Sequence, residues 1–305
     1  MLLDAASLYF RAFYGVPTSV TAPDGRPVNA VRGFLDMTAR LLTAHGPDRL
    51  VACWDDDWRP DFRVAALPSY KAHRLSPEGG EETPPELGPQ VPVLVDVLAA
   101  AGVARVGAPG YEADDVIGTL ATRARGPVDV VTGDRDLFQL VDDVRGVRVL
   151  YTNRGITDIE VVDEAAVSAR YGIPGRAYAD FAVLRGDPSD GLPGVAGIGA
   201  KTAAALITEF GDLAGVRAAA ARTAVPRAPL TAAVLKRLHA GAAYLDAAPV
   251  VVAVARDVDL PAVEGALPRR PADAGALAAL ADAHGLRSSL GRLGAALGWP
   301  ADVLD

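Results

Sequence analysis

One cysteine in 305 residues excludes a disulfide framework and fits a reducing compartment. That residue, Cys53, lies in the apolar run RLVACW, where a buried strand thiol is expected rather than a nucleophile. Histidine is nearly as scarce. His45, His73, His239 and His284 are dispersed without metal-ligand spacing, which argues against a zinc site. Lysine occurs only at Lys71, Lys201 and Lys236. No stretch is long and apolar enough to cross a bilayer. The start, MLLDAASLYFRAFY, has no basic n-region and meets an aspartate at position 4, so it does not read as a secretory signal. A cytoplasmic protein with no membrane partner is expected.

Half of the residues are hydrophobic, and the length suffices for one large or two modest domains with a sizeable core. MLLDA, RLVACW, VDVVT and VRVLYT are short apolar runs rich in Val and Leu. Helical patterns at 30–45, 91–101 and 113–125 separate them. This alternation predicts a parallel sheet covered by helices. After residue 151 helical patterns dominate: 163–171, 176–185, 201–210, an Ala-rich region to 248, and one or two helices in the last forty residues. The run PVVVAVARDVDLP reads as an edge strand or extended arm. Residues 76–89, SPEGGEETPPELGP, lack apolar periodicity and read as an exposed, mobile connection.

Asp4, Asp55, Glu112, Asp114, Asp115, Asp134 and Asp136 fall where strands should end or helices begin, and a further pair, Asp187 and Asp190, follows in LRGDPSDGLPG to make nine carboxylates. In an open α/β sheet the ligand crevice lies at the carboxyl ends of the strands. Asp4, Asp55 and Asp134 occupy such ends. Glu112, Asp114 and Asp115 open a helix, where acidic side chains suit the helix dipole. Like charge gathered at one place needs a positive partner, and hard divalent cations prefer oxygen ligands. The pattern therefore points to metal-assisted chemistry on phosphate. The net charge of −8 describes long-range steering and not a local site. From 176 to 237 there are eight Lys/Arg against five acids, two of which belong to the nine.

In GVAGIGAKTAAALI, residues 194–207, glycines at alternating spacing lead into an amphipathic helix with Lys201 in its first turn. Gly194, Gly197, Gly199, Lys201 and Thr202 are candidates for holding a nucleic-acid backbone through helix-start N–H groups and one point charge. The plainer alternative is a tight turn between packed helices.

DAASLYFRAFYG, GYEADDVIGTLA, TGDRDLFQL and DFAVLRGDPSDGLPGVAGIGAKTA, in this order and with PSYKAHR between the second and third acidic clusters, resemble the 5′-nuclease family. That family includes flap endonucleases and the 5′→3′ exonuclease domain of bacterial DNA polymerase I. The resemblance runs from residue 2 to about 261 and implies an α/β fold: a PIN-like nuclease domain with a parallel-type sheet, then a helical helix-three-turn-helix region. The implied division is residues 1–170 with an arch at about 70–92, 171–265 for DNA binding, and a tail at 266–305 packing on the core. It further implies two metal groups, Asp4, Asp55, Glu112, Asp114 and Asp115 in one, Asp134, Asp136, Asp187 and Asp190 in the other. Mg²⁺ or Mn²⁺ are the implied ions, with K⁺ a candidate at the hairpin. Lys71 and Arg74, and nearby Arg63, match basic positions expected to stabilise charge on the phosphate.

The implied function is structure-specific hydrolysis of DNA at a 5′ flap, nick or 5′ end, extending to RNA–DNA primers, by a monomer acting in replication and repair. One of Tyr9, Phe10, Phe13 and Tyr14 is a candidate for stacking on a base. Asp56 and Asp57 are expected to be solvated. Two departures stand out: Ala5-Ala6 after the first aspartate, and an arch segment, 72–90, with four glutamates, four prolines and one arginine. An acidic arch should attract a single-stranded flap weakly. A PIN-type ribonuclease, a non-catalytic junction-binding protein and a phosphatase built on the DRD motif are the alternatives.

Overall fold

The computed structural model describes residues 1–77, 79–222, 225–300 and 302–303. Glu78 of the expected arch, Thr223 and Ala224 of the expected DNA-binding region, and Ala301, Leu304 and Asp305 of the expected tail lie outside the described residues. The described residues form a six-stranded sheet from β1 (Leu2–Asp4), β2 (Val51–Cys53), β3 (Ala104–Val106), β4 (Val128–Thr132), β5 (Val147–Tyr151) and β6 (Glu160–Val162), in spatial order β3-β2-β1-β4-β5-β6. All neighbours pair in parallel except β5 and β6. The chain proceeds outward one way from β1 through β2 to β3, then the other way through β4 and β5. The order thus reverses between β1 and β4, which is where such sheets bind ligands. In register, Leu3 faces Ala52 on one side and Val131 on the other, so Asp4, Asp55 and Asp134 leave the sheet along one edge.

The helices are α1 (Ala5–Gly15), α2 (Asn29–His45), α3 (Asp61–Ala66), α4 (Gln90–Ala101), α5 (Ala113–Arg123), α6 (Glu164–Tyr171), α7 (Tyr178–Arg185), α8 (Ala200–Phe210), α9 (Leu213–Arg222), α10 (Ala232–Ala240), α11 (Ala242–Val252), α12 (Ala274–His284) and α13 (Arg287–Leu297). The pleat sends alternate side chains to opposite faces. Leu3, Ala52, Val131 and Leu150 meet Leu8, Phe34, Leu98, Leu277 and Leu290 on one face. Leu2, Cys53, Val130 and Val149 meet Ile117, Phe138, Phe181 and Ile207 on the other. Burial on both faces explains why these strands read as continuous apolar runs. Cys53 is fully buried in β2, as the sequence predicts. Among the described residues no helix is long and apolar enough to cross a membrane.

The structure departs from the sequence reading at the sheet edges and in segment 76–89, and at 249–261 it selects the extended arm over the edge strand. Strands β3 and β6 were not anticipated; both are three-residue edge strands with a buried residue only at the last position. The run 249–261 contains no edge strand. Its first four residues end α11, and the remainder is an extended arm. The arm's amides are satisfied by side chains: Val254 donates to Gln139 Oε1 at 3.0 Å, Ala255 to Asp115 Oδ1 at 2.7 Å and Val258 to Thr119 Oγ1 at 3.2 Å. Gly118 permits this approach, since a Cβ there would meet the Ala255 carbonyl at 2.6 Å. The segment 76–89 has local structure. Leu75 and Glu81 pair as an antiparallel bridge, and Leu87 is buried against Phe13 and Ala30.

Candidate active site

A cavity of about 700 Å³ opens at the carboxyl edge between β1 and β4. Asp4, Asp55, Glu112, Asp114 and Asp134 line it, with Lys71 and Arg74 at its side. Each carboxylate is placed by its neighbours in the chain. Asp4 ends β1 and caps α1: Oδ1 accepts from the Ser7 amide at 3.0 Å, and Oδ2 from the Thr132 hydroxyl at 2.6 Å. Asp55 follows β2 and accepts from the Ala113 amide at 2.6 Å, which ties it to the start of α5. Asp134 follows β4 and accepts from the Asp136 amide at 2.8 Å. Glu112 caps α5 and accepts from the Tyr70 hydroxyl at 2.6 Å and from Lys71 Nζ.

These groups repel one another in a low-dielectric setting. Burial, then the Asp55 charge, pushes the Asp4 carboxyl up to about 7, against the hydrogen bonds from Thr132 and Ser7. Asp114 is pushed well above the usual carboxylate range by burial and by the charges of Asp134 and Asp4. Burial, then Asp190, raises Asp134. Asp136 is raised mainly by burial and then by Asp134, and its Oδ1 is buried without a hydrogen-bond partner among the described residues. An orphaned buried carboxylate oxygen beside crowded carboxylates fits a hard divalent cation, which would satisfy both. Among the described residues no group of three Asp, Glu, His or Cys side chains closes into a ready-made metal cage. Mg²⁺ keeps several waters and does not require such a cage.

Asp187 and Asp190 sit in a turn after α7 and carry their own cations. Asp187 accepts from Arg185 at 3.1 Å, from Arg135 at 3.5 Å and from the Ser189 amide at 3.0 Å. Asp190 accepts from Arg74 at 2.8 Å. The segment carrying Lys71 docks on this turn: the Lys71 amide donates to the Asp190 carbonyl at 3.0 Å, and Ser69 Oγ to the Gly191 carbonyl at 2.9 Å. A Cβ on Gly191 would meet the Ser69 carbonyl at 2.2 Å, so glycine is required there. Lys71 itself adopts left-handed backbone at φ 48°, a conformation that costs a non-glycine residue about 1–2 kcal/mol. Strain of this kind persists where surrounding contacts over-determine the position.

Two expected site residues have different roles in the structure. Arg63 does not reach the cavity. Its side chain is 2% exposed and donates to both oxygens of Asp115 at 2.7 Å, to Glu112 at 2.8 Å and to the Val251 carbonyl at 3.0 Å. Asp115 is correspondingly saturated, because its oxygens also accept from the amides of Ala255 and Glu112. Neither has a free donor or acceptor to offer a phosphate or an ion. The pair instead locks α3, α5 and the arm after α11 around Glu112. Sequence reasoning also missed Tyr70, Thr132 and Ser7, which orient Glu112 and Asp4. Tyr70, Thr132 and Ser7 lie inside the motifs PSYKAHR, TGDRDLFQL and DAASLYFRAFYG, which is the signal that pointed to them. Of the aromatics after Asp4, Phe13 is buried, Phe10 lines the cavity and Tyr14 is 73% exposed. Asp56 is exposed and Asp57 partly so.

The glycine hairpin lies directly beyond the Asp187–Asp190 turn. Gly194 and Gly197 have φ of 67° and 80°, and Gly199 precedes α8 without a side-chain cap. The first amides of α8 therefore have no side chain competing for them, and Lys201 is exposed in the same turn. Gly186 and Gly194 touch through their backbones: a Cβ on either would meet the other's amide nitrogen at 2.6 Å. The hairpin and the carboxylate turn thus form one continuous unit.

Fold and site together define a nuclease of the PIN-like α/β class. Residues 1–172 match the 5′-3′ exonuclease N-terminal resolvase-like domain, and residues 173–274 match the 5′-3′ exonuclease C-terminal SAM fold. The chain is 61% identical over 298 residues to a 5′-3′ exonuclease of Streptomyces coelicolor, covering 96% of this chain and 98% of that protein. It is 51% identical over 313 residues to a 5′-3′ exonuclease of Mycobacterium tuberculosis, covering 97% of each. It thus belongs to the 5′-3′ exonuclease family. Solved structures that share the fold include two with bound metal or DNA. The T5 D15 protein co-crystallised with metal ions has TM-score 0.63 at 16% identity, covering 100% of this chain and 99% of that one. The catalytic core of Rad2 in complex with DNA substrate has TM-score 0.55 at 20% identity, covering 99% and 88%.

Proposed function

We propose that this chain is a divalent-metal-dependent, structure-specific 5′ nuclease that hydrolyses phosphodiester bonds in DNA at a 5′ flap, nick or 5′ end during replication and repair. The observation that carries the reading is the convergence of Asp4, Asp55, Glu112, Asp114 and Asp134 on one cavity with Lys71 and Arg74 beside them. Asp4, Asp55, Asp114, Asp134 and Asp136 are the carboxylates proposed to hold Mg²⁺ or Mn²⁺. Such ions activate a water and neutralise charge on the leaving oxygen. Glu112 sits between that site and Lys71. Lys71 and Arg74 meet the scissile phosphate by exchanging their carboxylate partners for its oxygens, which strengthens as charge builds in the transition state. Asp187 and Asp190 hold the turn that links Arg74 to the hairpin.

Gly194, Gly197, Gly199, Lys201 and Thr202 grip the duplex backbone, with K⁺ the candidate ion there. In this reading residues 1–170 cut, 171–265 hold the duplex and 266–305 brace the core, and a cytoplasmic monomer suffices. The test is a flap duplex labelled at its 5′ end. Cleavage near the junction is expected with Mg²⁺ or Mn²⁺ and none after chelation; cutting that survives exhaustive chelation overturns the mechanism.

A further inference from the structure

Two carboxylates on the cavity wall, Glu81 and Glu160, have no part in the carboxylate site, and Glu160 is paired with Arg170. Glu81 lines the same cavity as Asp55, Glu112, Lys71 and Arg74. It reaches the cavity from the loop between α3 and α4, and a short hairpin sets its register. Leu75 and Glu81 pair as an antiparallel bridge, the Ser76 amide donates to the Gly80 carbonyl at 3.0 Å, and the Glu82 amide to the Arg74 carbonyl at 2.7 Å. Extended backbone alternates its side chains. Glu81 is accordingly half-buried and turned to the cavity, while Glu82 is exposed and absent from the cavity wall.

The two cations that Glu81 faces are already engaged. Lys71 pairs with Glu112, and Arg74 with Asp190. Positive charge at this side of the cavity is therefore compensated before any DNA arrives, and Glu81 adds a further negative charge. Among the described residues, 75–90 contain no Lys or Arg to offset it.

We propose that Glu81 is a specificity-determining residue: its carboxylate opposes the passage of a single-stranded phosphate backbone past Lys71 and Arg74, biasing cleavage toward 5′ ends at nicks and away from long 5′ flaps. The reasoning is electrostatic. A 5′ end at a nick brings few phosphates past Glu81, whereas a long flap must carry one charge per nucleotide through the same opening. Repulsion between partly buried charges is screened less than repulsion at the open surface. The inference rests on the nuclease reading above.

The test compares kcat/KM on a nicked duplex with kcat/KM on the same duplex bearing a long 5′ flap, for wild type, E81Q, E81K and E82Q. E82Q removes the same unit of charge from the outer side of the hairpin. E81Q is expected to raise the flap-to-nick ratio about fivefold, the size of one partly screened charge interaction, and E81K further. E82Q should change it by less than about twofold, since exposed charges contribute little. An unchanged ratio in both E81Q and E81K overturns the proposal. So does an equal effect of E82Q, which would make total loop charge the cause. A raised Mg²⁺ requirement in E81Q with no change in ratio also overturns it, by making Glu81 a metal-site carboxylate. If wild type cuts neither substrate, the nuclease reading itself fails, and that result is distinct from the other three.

Discussion

The two ends of the carboxylate crevice are built differently. At the sheet end, Asp4, Asp55 and Asp134 are held by backbone amides and a threonine hydroxyl, without a direct cation among the described residues. At the turn end, Asp187 and Asp190 lie against Arg185, Arg135 and Arg74. The first arrangement fixes geometry and leaves charge uncompensated. The second compensates charge within the protein. In the proposed reading, the carboxylates that receive a divalent ion are those set on the rigid sheet edge, where a fixed position matters most. Those at the turn join the cavity to the hairpin and are stable without a ligand. Hydrogen bonds to amides orient a carboxylate without cancelling its charge, whereas an arginine does both.

Breaking the sheet end should have the largest effect. Asp134→Ala should reduce cutting by on the order of 1,000-fold or more while leaving DNA binding within a few-fold, as expected when groups that stabilise only the transition state are lost. Gel-shift and single-turnover assays on one substrate check this; near-normal cleavage would refute the assignment of Asp134. Next is the lock behind Glu112. Arg63→Ala leaves Asp115 buried without its cation, while Glu112 keeps Lys71 and Tyr70, and breaking such a buried pair costs about 3–5 kcal/mol. Urea denaturation should show a drop of that size. A loss of activity without a loss of stability would instead restore Arg63 to a role on the phosphate.

The smallest effect sharpens the contrast through pH. The Asp4 carboxyl moves from 3.8 to about 7 on folding. Between those values the folded protein holds a proton that the unfolded chain has released. Stability without metal should therefore be greatest on the acid side and fall as pH rises through that window, by at most about 1.4 kcal/mol per pH unit from this group. Divalent ions replace the proton, so the stabilisation by Mg²⁺ should be larger at pH 8 than at pH 5. Thermal melts with and without Mg²⁺ at both values test this; equal shifts would mean that Asp4 is not part of the ion site.

Much of this arrangement was legible in the chain. Asp4, Asp55 and Asp134 announce themselves because each follows an apolar strand, and parallel strands bring their carboxyl ends to one edge. The hairpin was legible because Gly194, Gly197 and Lys201 form a compact local pattern. The pairing of Arg63 with Asp115 was not legible because a basic residue and an acid in motif positions look the same whether they face a ligand or each other. The arm at 253–261 was ambiguous because extended backbone has the same local pattern whether strands or side chains satisfy it. Glu81 looked like one more acid in a polar loop.

The sequence alone determined which chemistry this protein carries, because side-chain types and short-range spacing are properties of the chain itself. Tertiary structure decided which of those groups are free to act. Only the folded contacts show that Arg63 saturates Asp115, that Asp136 keeps an oxygen unpaired among the described residues and that Glu81 turns inward while Glu82 turns out. The physical reason is that charge and hydrogen-bonding capacity are used up by neighbours in space, and Arg63 and Asp115 lie 52 residues apart in the chain.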